Sequence, residues 1–295
     1  MIDSHHHIWR QKDLPWLLGP EQPRIFGQYT DIKRDYLMSE YLQDISGAGI
    51  EKSVYVQANW ANNWAHDEAA WVESVAEEYS WPHAIVAYAD FTVTDVRPQL
   101  DKLSAYPLVR GIRQQLHWHE YPQYQCALHP DVAAQPQFQK NIAYLAEYDW
   151  CFDLQVFPAQ VRSAVALANA CPDVNFILQH AGMLEDTSPQ GWEQWHEALA
   201  LYAACRNMHV KLSGLGTFVH CIDIVLIYKI VSATIAAFGA NRCLYGSNFP
   251  IEKLWTSYSE LYVAMKTVTA DLDDADVQAI FNDNAERLYR LSPIN

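Results

Sequence analysis

The chain alternates between short runs of β-branched and aromatic residues and longer segments in which apolar residues recur at helical spacing. Eight short runs predict β-strands, at residues 2–8, 53–57, 83–88, 108–114, 151–157, 175–180, 208–213 and 243–248. Nine segments with helical periodicity lie between and after them, at residues 37–48, 67–79, 96–105, 136–148, 158–170, 191–205, 222–238, 258–269 and 275–291. Parallel strands that alternate with crossover helices eight times form a (β/α)₈ barrel. We therefore predict an α/β fold, a TIM barrel, as one domain over residues 1–295.

The connection after the first predicted strand is unusually long. Residues 9–32 are rich in Pro, Trp and Gly and show neither strand nor helix periodicity. Long irregular connections inside compact domains are often functional flaps. Trp9, Trp16, Trp60 and Trp64 are candidate walls for a ring-shaped ligand, the alternative being that they only anchor loops.

The first strand carries a distinctive polar pattern, His5-His6-His7 preceded by Asp3. Two-residue alternation along a strand predicts that Asp3, His5 and His7 point to one face. Two imidazoles on one face can bind a metal ion or polarise a substrate carbonyl, because neutral imidazole is both a good ligand and a good hydrogen-bond partner. A histidine cluster that serves only packing is the alternative for this motif alone.

Composition narrows the functional class. The chain has 295 residues and a formal net charge of −15, which argues against a nucleic-acid surface and against an anionic membrane surface. No apolar run reaches the roughly 18 residues that a membrane span needs. The 6 cysteines are scattered without a CxxC motif, as expected for reduced thiols, so we predict a cytoplasmic protein.

Polar side chains recur at or just beyond the predicted strand ends. They are His5, His7, Arg113, His117, Gln155, His180 and Asn248, and Lys211 lies on the polar face of the seventh strand. In a TIM barrel, catalytic residues sit at the carboxyl ends of the strands and face inward. We therefore predict that these residues form one site. Arg113, His117, Gln155 and Lys211 are the candidates for binding the substrate, since guanidinium and amide groups suit carboxylate and hydroxyl ligands.

Five motifs in this pattern resemble a known family. They are His5-x-His7, His180-Ala181-Gly182, Lys211-Leu212-Ser213-Gly214, Gly246-Ser247-Asn248-Phe249-Pro250 and the closing segment 280–289. Together they resemble the amidohydrolase superfamily, and within it the amidohydrolase 2 group of TIM-barrel hydrolases. The resemblance implies that His5, His7 and His180 hold a divalent metal ion, with zinc as the expected ion. It also implies an alternative, because some lactonases of this group are thought to work without a metal.

Asn248 departs from the family pattern, which places aspartate there as a metal ligand and proton acceptor. An amide cannot take a proton from water near neutral pH, and it brings no charge to a metal. Asn248 is therefore predicted to position water or substrate within the catalytic group of His5, His7 and His180. The remaining candidates for the proton acceptor are these histidines, Asp153, His119 and Glu120.

The predicted activity is hydrolysis of a small lactone from sugar-acid or aromatic catabolism. A lactone is an activated ester, so an enzyme could lose the strand-eight carboxylate and stay active if carbonyl polarisation survives. A metal-dependent decarboxylase of an aromatic or muconate acid and a barrel that only binds its ligand are the alternatives. The expected partner is a small carboxylate or lactone, and a homo-oligomer is left open.

Overall fold

The structure, a computed structural model, describes residues 1–291 with the exception of the Asn62 side chain. Eight parallel strands pair in chain order to form one sheet. They are β1 (Ile2–His6), β2 (Lys52–Val56), β3 (Ala84–Ala87), β4 (Val109–Ile112), β5 (Cys151–Leu154), β6 (Phe176–Leu178), β7 (Met208–Leu212) and β8 (Cys243–Tyr245). All eight predicted strands are therefore present, in most cases one to three residues shorter than predicted at one or both ends.

The sheet curls into a ring that closes between β8 and β1. Closure uses the backbone just beyond β8: the Asn248 N–H donates to the His5 carbonyl and the His7 N–H donates to the Phe249 carbonyl, each at 2.7 Å. With helices between consecutive strands, this arrangement is the predicted TIM barrel. The fold prediction is confirmed.

Helices surround the ring. They are α1 (Pro15–Leu18), α2 (Met38–Asp44), α3 (Ala65–Tyr79), α4 (Arg97–Leu103), α5 (Pro136–Ala143), α6 (Val161–Ala170), α7 (Pro189–Ala203), α8 (Ile224–Phe238), α9 (Tyr258–Val268), α10 (Asp274–Gln278) and α11 (Asn284–Tyr289). None of the helices within residues 1–291 is both long and apolar enough to cross a bilayer.

The closing segment differs from the continuous helix that was predicted. A π-helical turn, Ala279–Asp283, joins α10 to α11. Residues 292–295 of the predicted domain lie outside the described residues.

Apolar side chains fill the amino-terminal half of the ring. Ile2, Val54, Val86 and Leu244 form a buried cluster inside it, and Leu288 of α11 belongs to the same cluster. This end is therefore plugged, and the cavity that could admit a ligand lies at the opposite, carboxyl end.

Asp3 does not share a face with His5 and His7. The register of β1 against β2 shifts between Asp3 and His6, which interrupts the two-residue alternation. The Asp3 carboxylate instead accepts hydrogen bonds from Tyr41 of α2 and Tyr258 of α9, at 2.9 and 3.1 Å. The prediction for Asp3 was wrong because a local irregularity in the ladder turns its side chain toward the helices.

Candidate active site

A cavity opens over the carboxyl ends of the strands, with about 750 Å³ of empty space when its solvent-filled mouth is included. Six of the eight predicted site residues line it: His7, Arg113, His117, Gln155, His180 and Asn248. Six residues from five different strand ends thus face one space, as the barrel topology requires.

Three histidines form a compact cluster at the base of the cavity. The ring centroid of His5 lies 5.1 Å from that of His7 and 4.9 Å from that of His180. His7 Nδ1 donates to the Val56 carbonyl at 2.6 Å, which leaves Nε2 with its lone pair. Among the residues that the structure describes, neither ring nitrogen of His5 has a hydrogen-bond partner, although the side chain is fully buried.

The cluster is electrically neutral near pH 7. Burial, together with the nearby Arg113, lowers the pKa of His180 to about 3. Burial also lowers the pKa of His5 and His7, with added contributions from Lys211 and Arg113 respectively. Neutral imidazoles beside fixed cations can interact with an electron-rich oxygen without adding charge of their own.

Two glycines of the sequence motifs make room for these rings. Gly214 has a φ of +60°, and a β-carbon there would lie 2.5 Å from His180 Nδ1. A β-carbon on Gly246 would lie 2.7 Å from that of His5. The space that His180 and His5 occupy thus requires glycine at these positions of the two motifs after β7 and β8.

Arg113 supplies the positive charge of the cavity floor. Its Nη2 donates to the Gln57 carbonyl at 2.6 Å, while its buried Nε has no partner within the described residues. Burial lowers its pKa to about 10, so the guanidinium remains charged at neutral pH. An unpaired N–H on a fixed cation is suited to a carbonyl or carboxylate oxygen.

The other lining residues supply neutral polar groups. Gln155 accepts a hydrogen bond from Gln115 at 3.1 Å, and His117 has a buried Nδ1 with no partner within residues 1–291. Asn248 lies just beyond β8 in a left-handed conformation with a φ of 58°. These groups can orient substrate hydroxyls, and Asn248 lines the same cavity as His7 and His180.

Lys211 lies beneath the cavity rather than in its wall. It is fully buried, and its Nζ pairs with Asp153 Oδ2 at 2.6 Å. Asp153 also accepts hydrogen bonds from Gln179 and Tyr289. The predicted partnership with Asp153 is present. Direct contact with substrate is not supported, and Asp153 is committed to this pair rather than available as a proton acceptor.

Several lining residues were not singled out in the sequence. Arg24 and Phe26 come from the long loop after β1, and Thr217 comes from the loop after β7. Their positions depend on how loops fold back over the ring, and the sequence carries no periodic signal for that. Among the candidate tryptophans, Trp9 and Trp16 line the cavity.

The other two tryptophans lie elsewhere. Trp60 packs on Trp71 with ring centroids 5.9 Å apart, and Trp64 is 48% exposed. His119 and Glu120, two further candidates for the proton acceptor, are not among the residues that line the cavity.

The donor set is incomplete for a divalent metal. The tautomer of His7 suits a ligand, because its Nδ1–H is held by a carbonyl and Nε2 is free. Within residues 1–291, however, no group of three His, Cys, Asp or Glu side chains is arranged to hold a metal ion. The charged groups beside the histidines, Arg113 and Lys211, are both cations. The three-histidine metal site therefore stays a prediction that this geometry does not support.

Relatives of the chain match it almost from end to end. Protein y4mH of Sinorhizobium fredii is 34% identical over 293 residues, covering 99% of this chain and 98% of that protein. An L-fucono-1,5-lactonase of Burkholderia ambifaria is 26% identical, and the match covers 98% of this chain and 95% of the lactonase. The crystal structure of an amidohydrolase from Burkholderia multivorans with bound zinc superposes with a TM-score of 0.82, at 26% identity and 99% coverage of both chains.

The family model that matches this chain is that of the amidohydrolases, and the match runs over residues 2–291. It includes every strand of the ring and every residue of the cavity floor described above. The resemblance drawn from the motifs is confirmed, and the protein is an enzyme of the amidohydrolase family.

Proposed function

We propose that the protein hydrolyses a small lactone, with a sugar-acid 1,5-lactone as the first candidate substrate. The observation that carries the proposal is that Arg113, His180 and Asn248 face one cavity of about 750 Å³ at the carboxyl end of the barrel. A relative named L-fucono-1,5-lactonase supports the reaction class.

The walls of the cavity suit a polyhydroxylated ring. Trp9, Trp16 and Phe26 offer apolar faces, on which the C–H groups of a sugar ring can pack. Asn59 and Gln115 add side-chain amides that can bind hydroxyl groups. No Asp or Glu is among the lining residues, so a ring that carries or develops negative charge is not repelled at close range.

The proposed chemistry uses the fixed cation and the neutral polar groups. Arg113 and the Asn248 amide donate hydrogen bonds to the lactone carbonyl oxygen, which becomes negative as water attacks the carbonyl carbon. Such preorganised donors stabilise the tetrahedral intermediate more than the substrate, because the charge develops only at that stage. The ring C–O bond then breaks and a hydroxy acid is released.

The metal is the second part of the proposal. The zinc of the Burkholderia multivorans relative shows that a related barrel can hold this ion. In this chain, position 248 carries an amide, and the histidines lie beside two cations. We infer that carbonyl polarisation here relies on protein groups, so activity should survive removal of divalent ions.

A lactone panel tests the proposal. Purified protein, dialysed with and without EDTA, is assayed for acid release from L-fucono-1,5-lactone, other aldonolactones and a muconolactone, with metal content measured on the same samples. We expect turnover above the spontaneous rate on at least one sugar lactone, and the same turnover after EDTA. A folded protein with no turnover on any of them would refute the lactonase proposal. Release of CO₂ from an aromatic acid would favour the decarboxylase alternative, and ligand-dependent thermal stabilisation without turnover would favour a binding barrel.

A further inference from the structure

Glu252, in the segment after β8, is a fully buried carboxyl group that lies directly behind the cavity wall. Its Oε1 accepts a hydrogen bond from the Thr217 hydroxyl at 3.2 Å, and its Oε2 accepts one from Trp255 Nε1 at 2.9 Å. The Asn248 amide and the Gly216 backbone also interact with it. Within residues 1–291 it forms no ion pair with a basic side chain.

Burying a carboxyl without a cationic partner costs free energy, and groups of this kind are concentrated at functional sites. Burial raises the pKa of Glu252 to about 7, while the hydrogen bonds from Trp255 and Thr217 oppose that rise. A carboxyl poised near neutral pH is suited to exchange a proton with water during catalysis. Glutamine has nearly the same shape but only one acceptor oxygen, so it can accept one of these two hydrogen bonds and cannot take a proton at neutral pH.

Two residues connect Glu252 to the cavity without exposing it. Thr217 and Asn248 both line the cavity, and both contact the carboxyl. A hydroxyl group can accept a proton on one lone pair while it donates its own, which an amide cannot do at neutral pH. Thr217 is therefore the link through which a proton could pass between the cavity and Glu252.

The loops fit closely around this carboxyl. A β-carbon on Gly216 would lie 2.9 Å from Glu252 Oε2 and 2.6 Å from Trp255 Nε1. Glycine at 216 thus allows the loop after β7 to approach the carboxyl and place Thr217 between it and the cavity.

We propose that the Glu252 carboxylate receives the proton of the attacking water, with the Thr217 hydroxyl as the relay. Glu252 thus takes the role of proton acceptor that the family pattern gives to an aspartate at position 248 and that Asn248 cannot fill. This inference rests on the lactone hydrolysis proposed above. As the water oxygen bonds to the carbonyl carbon, its proton passes to Thr217 Oγ1 and the Thr217 proton passes to Glu252 Oε1. The tetrahedral intermediate then breaks its ring C–O bond, and the leaving alkoxide takes the proton back by the same route.

The groups facing Glu252 from the neighbouring segments, Gly216, Thr217, Asn248 and Trp255, carry no charge. Two titratable side chains pack around them. Tyr245 has a pKa raised by burial and by the Glu252 charge, so it stays protonated near neutral pH. His220 lies with its ring centroid 5.7 Å from that of Trp255.

The test compares kinetics on the best lactone of the panel across pH. We expect Glu252→Gln to lower kcat at least about 100-fold, the lower end of the usual general-base contribution, with little change in KM. The rise of wild-type activity with pH, centred at about 7, should vanish in this variant. Thr217→Val should show a similar loss of kcat, whereas Thr217→Ser, which keeps the hydroxyl, should restore most of it.

Trp255→Phe separates a proton acceptor from a structural carboxyl. Loss of the Trp255 N–H removes a hydrogen bond that favours the ionised carboxylate, so the inflection should move to higher pH. His220→Asn should leave the inflection in place. Glu185→Gln is the matched control, because burial also raises the pKa of Glu185 to about 7 and that side chain does not line the cavity.

Failure of this inference is distinguishable from failure of the proposed function. A wild-type protein that hydrolyses no lactone would overturn both. An active wild type with a folded, fully active Glu252→Gln variant, or with an inflection that disappears in His220→Asn instead, would overturn this inference alone. Should Glu252→Gln fail to fold, the Thr217→Val and Thr217→Ser pair decides, and equal activity of the two would overturn the relay.

Discussion

Asp3 accepts two hydrogen bonds from Ser247, one from the backbone N–H at 2.8 Å and one from the hydroxyl at 2.6 Å. These contacts join the start of the first strand to the segment that follows the last strand. The same carboxylate accepts hydrogen bonds from Tyr41 and Tyr258, so one buried side chain ties both ends of the ring to two outer helices.

Replacing Asp3 with alanine should therefore destabilise the barrel strongly. The change leaves the buried hydroxyls of Tyr41, Tyr258 and Ser247 without their acceptor, and we expect a loss of about 3–5 kcal/mol in the free energy of unfolding. Ser247→Ala removes one of these donors and the acceptor of the Phe249 N–H, and should cost about 1–2 kcal/mol. Chemical denaturation measures both changes, and equal losses for the two variants would contradict the central role of Asp3.

Gly214→Ala should reduce activity as well as stability. The new β-carbon would lie 2.5 Å from His180 Nδ1, in a backbone conformation with positive φ, so the ring must move. Gly47→Ala is the matched control, because Gly47 also has positive φ but its β-carbon would meet nothing within 4 Å. Both should lose about 1 kcal/mol of stability from backbone strain, and only Gly214→Ala should lose more and lower kcat. Lactone kinetics and thermal melts of the two variants check this.

His6 should make the protein less stable as the pH falls. Its ring stacks on Tyr41 with centroids 3.9 Å apart, and burial lowers its pKa from 6.5 to about 3. In the unfolded chain this imidazole binds a proton below pH 6.5, whereas in the folded chain it stays neutral down to about pH 3. Protonation of the unfolded state therefore lowers the free energy of unfolding by about 2 kcal/mol at pH 5.

His6→Phe keeps a ring against Tyr41 and removes the titration. We expect its free energy of unfolding, relative to the wild type, to rise by up to about 2 kcal/mol between pH 8 and pH 5. Denaturant titrations at the two pH values measure the difference. A difference that does not change with pH would show that His6 is protonated in the folded state.

Arg113→Lys should lower kcat/KM for the lactone substrate by about 10²–10³-fold, the usual effect of removing one donor to a developing oxyanion. Lysine keeps the charge but cannot present the unpaired Nε–H while another nitrogen holds the Gln57 carbonyl. Arg110→Lys is the control, because Arg110 lies on β4, just before Arg113 in the chain, but outside the cavity lining. If the two variants are equally active, Arg113 does not polarise the carbonyl.

Asn248→Asp should create affinity for a divalent ion. The new carboxylate would stand beside His5 and His180 and supply the negative charge that the cluster lacks. After dialysis against metal-free buffer and addition of equimolar zinc, elemental analysis should find zinc retained by the variant and not by the wild type or by Asn248→Ala. Stoichiometric zinc in the wild type, lost in His5→Ala or His7→Ala, would show that the histidines suffice as ligands.

Local patterns were enough to predict the barrel and several of the residues that line its cavity. The spacing of apolar residues indicates which segments are strands and which are helices. The barrel topology then places the carboxyl ends of all strands on one face. For that reason the positions of His7, Arg113, His180 and Asn248 at strand ends predict a shared cavity, and all four residues line it.

The sequence by itself determined the repeating strand and helix order, the glycine-containing motifs and the residue types at the strand ends. Only the tertiary structure decided that the Asp3 side chain points toward the helices and that Lys211 forms an ion pair with Asp153. It also decided that Glu252 accepts a hydrogen bond from Thr217 behind the cavity wall. The physical reason is the separation along the chain between the residues that interact. Side-chain alternation holds only while a strand keeps its register. The partners of Asp3, Lys211 and Glu252 include residues 35 or more positions away along the chain, and no local period records such contacts.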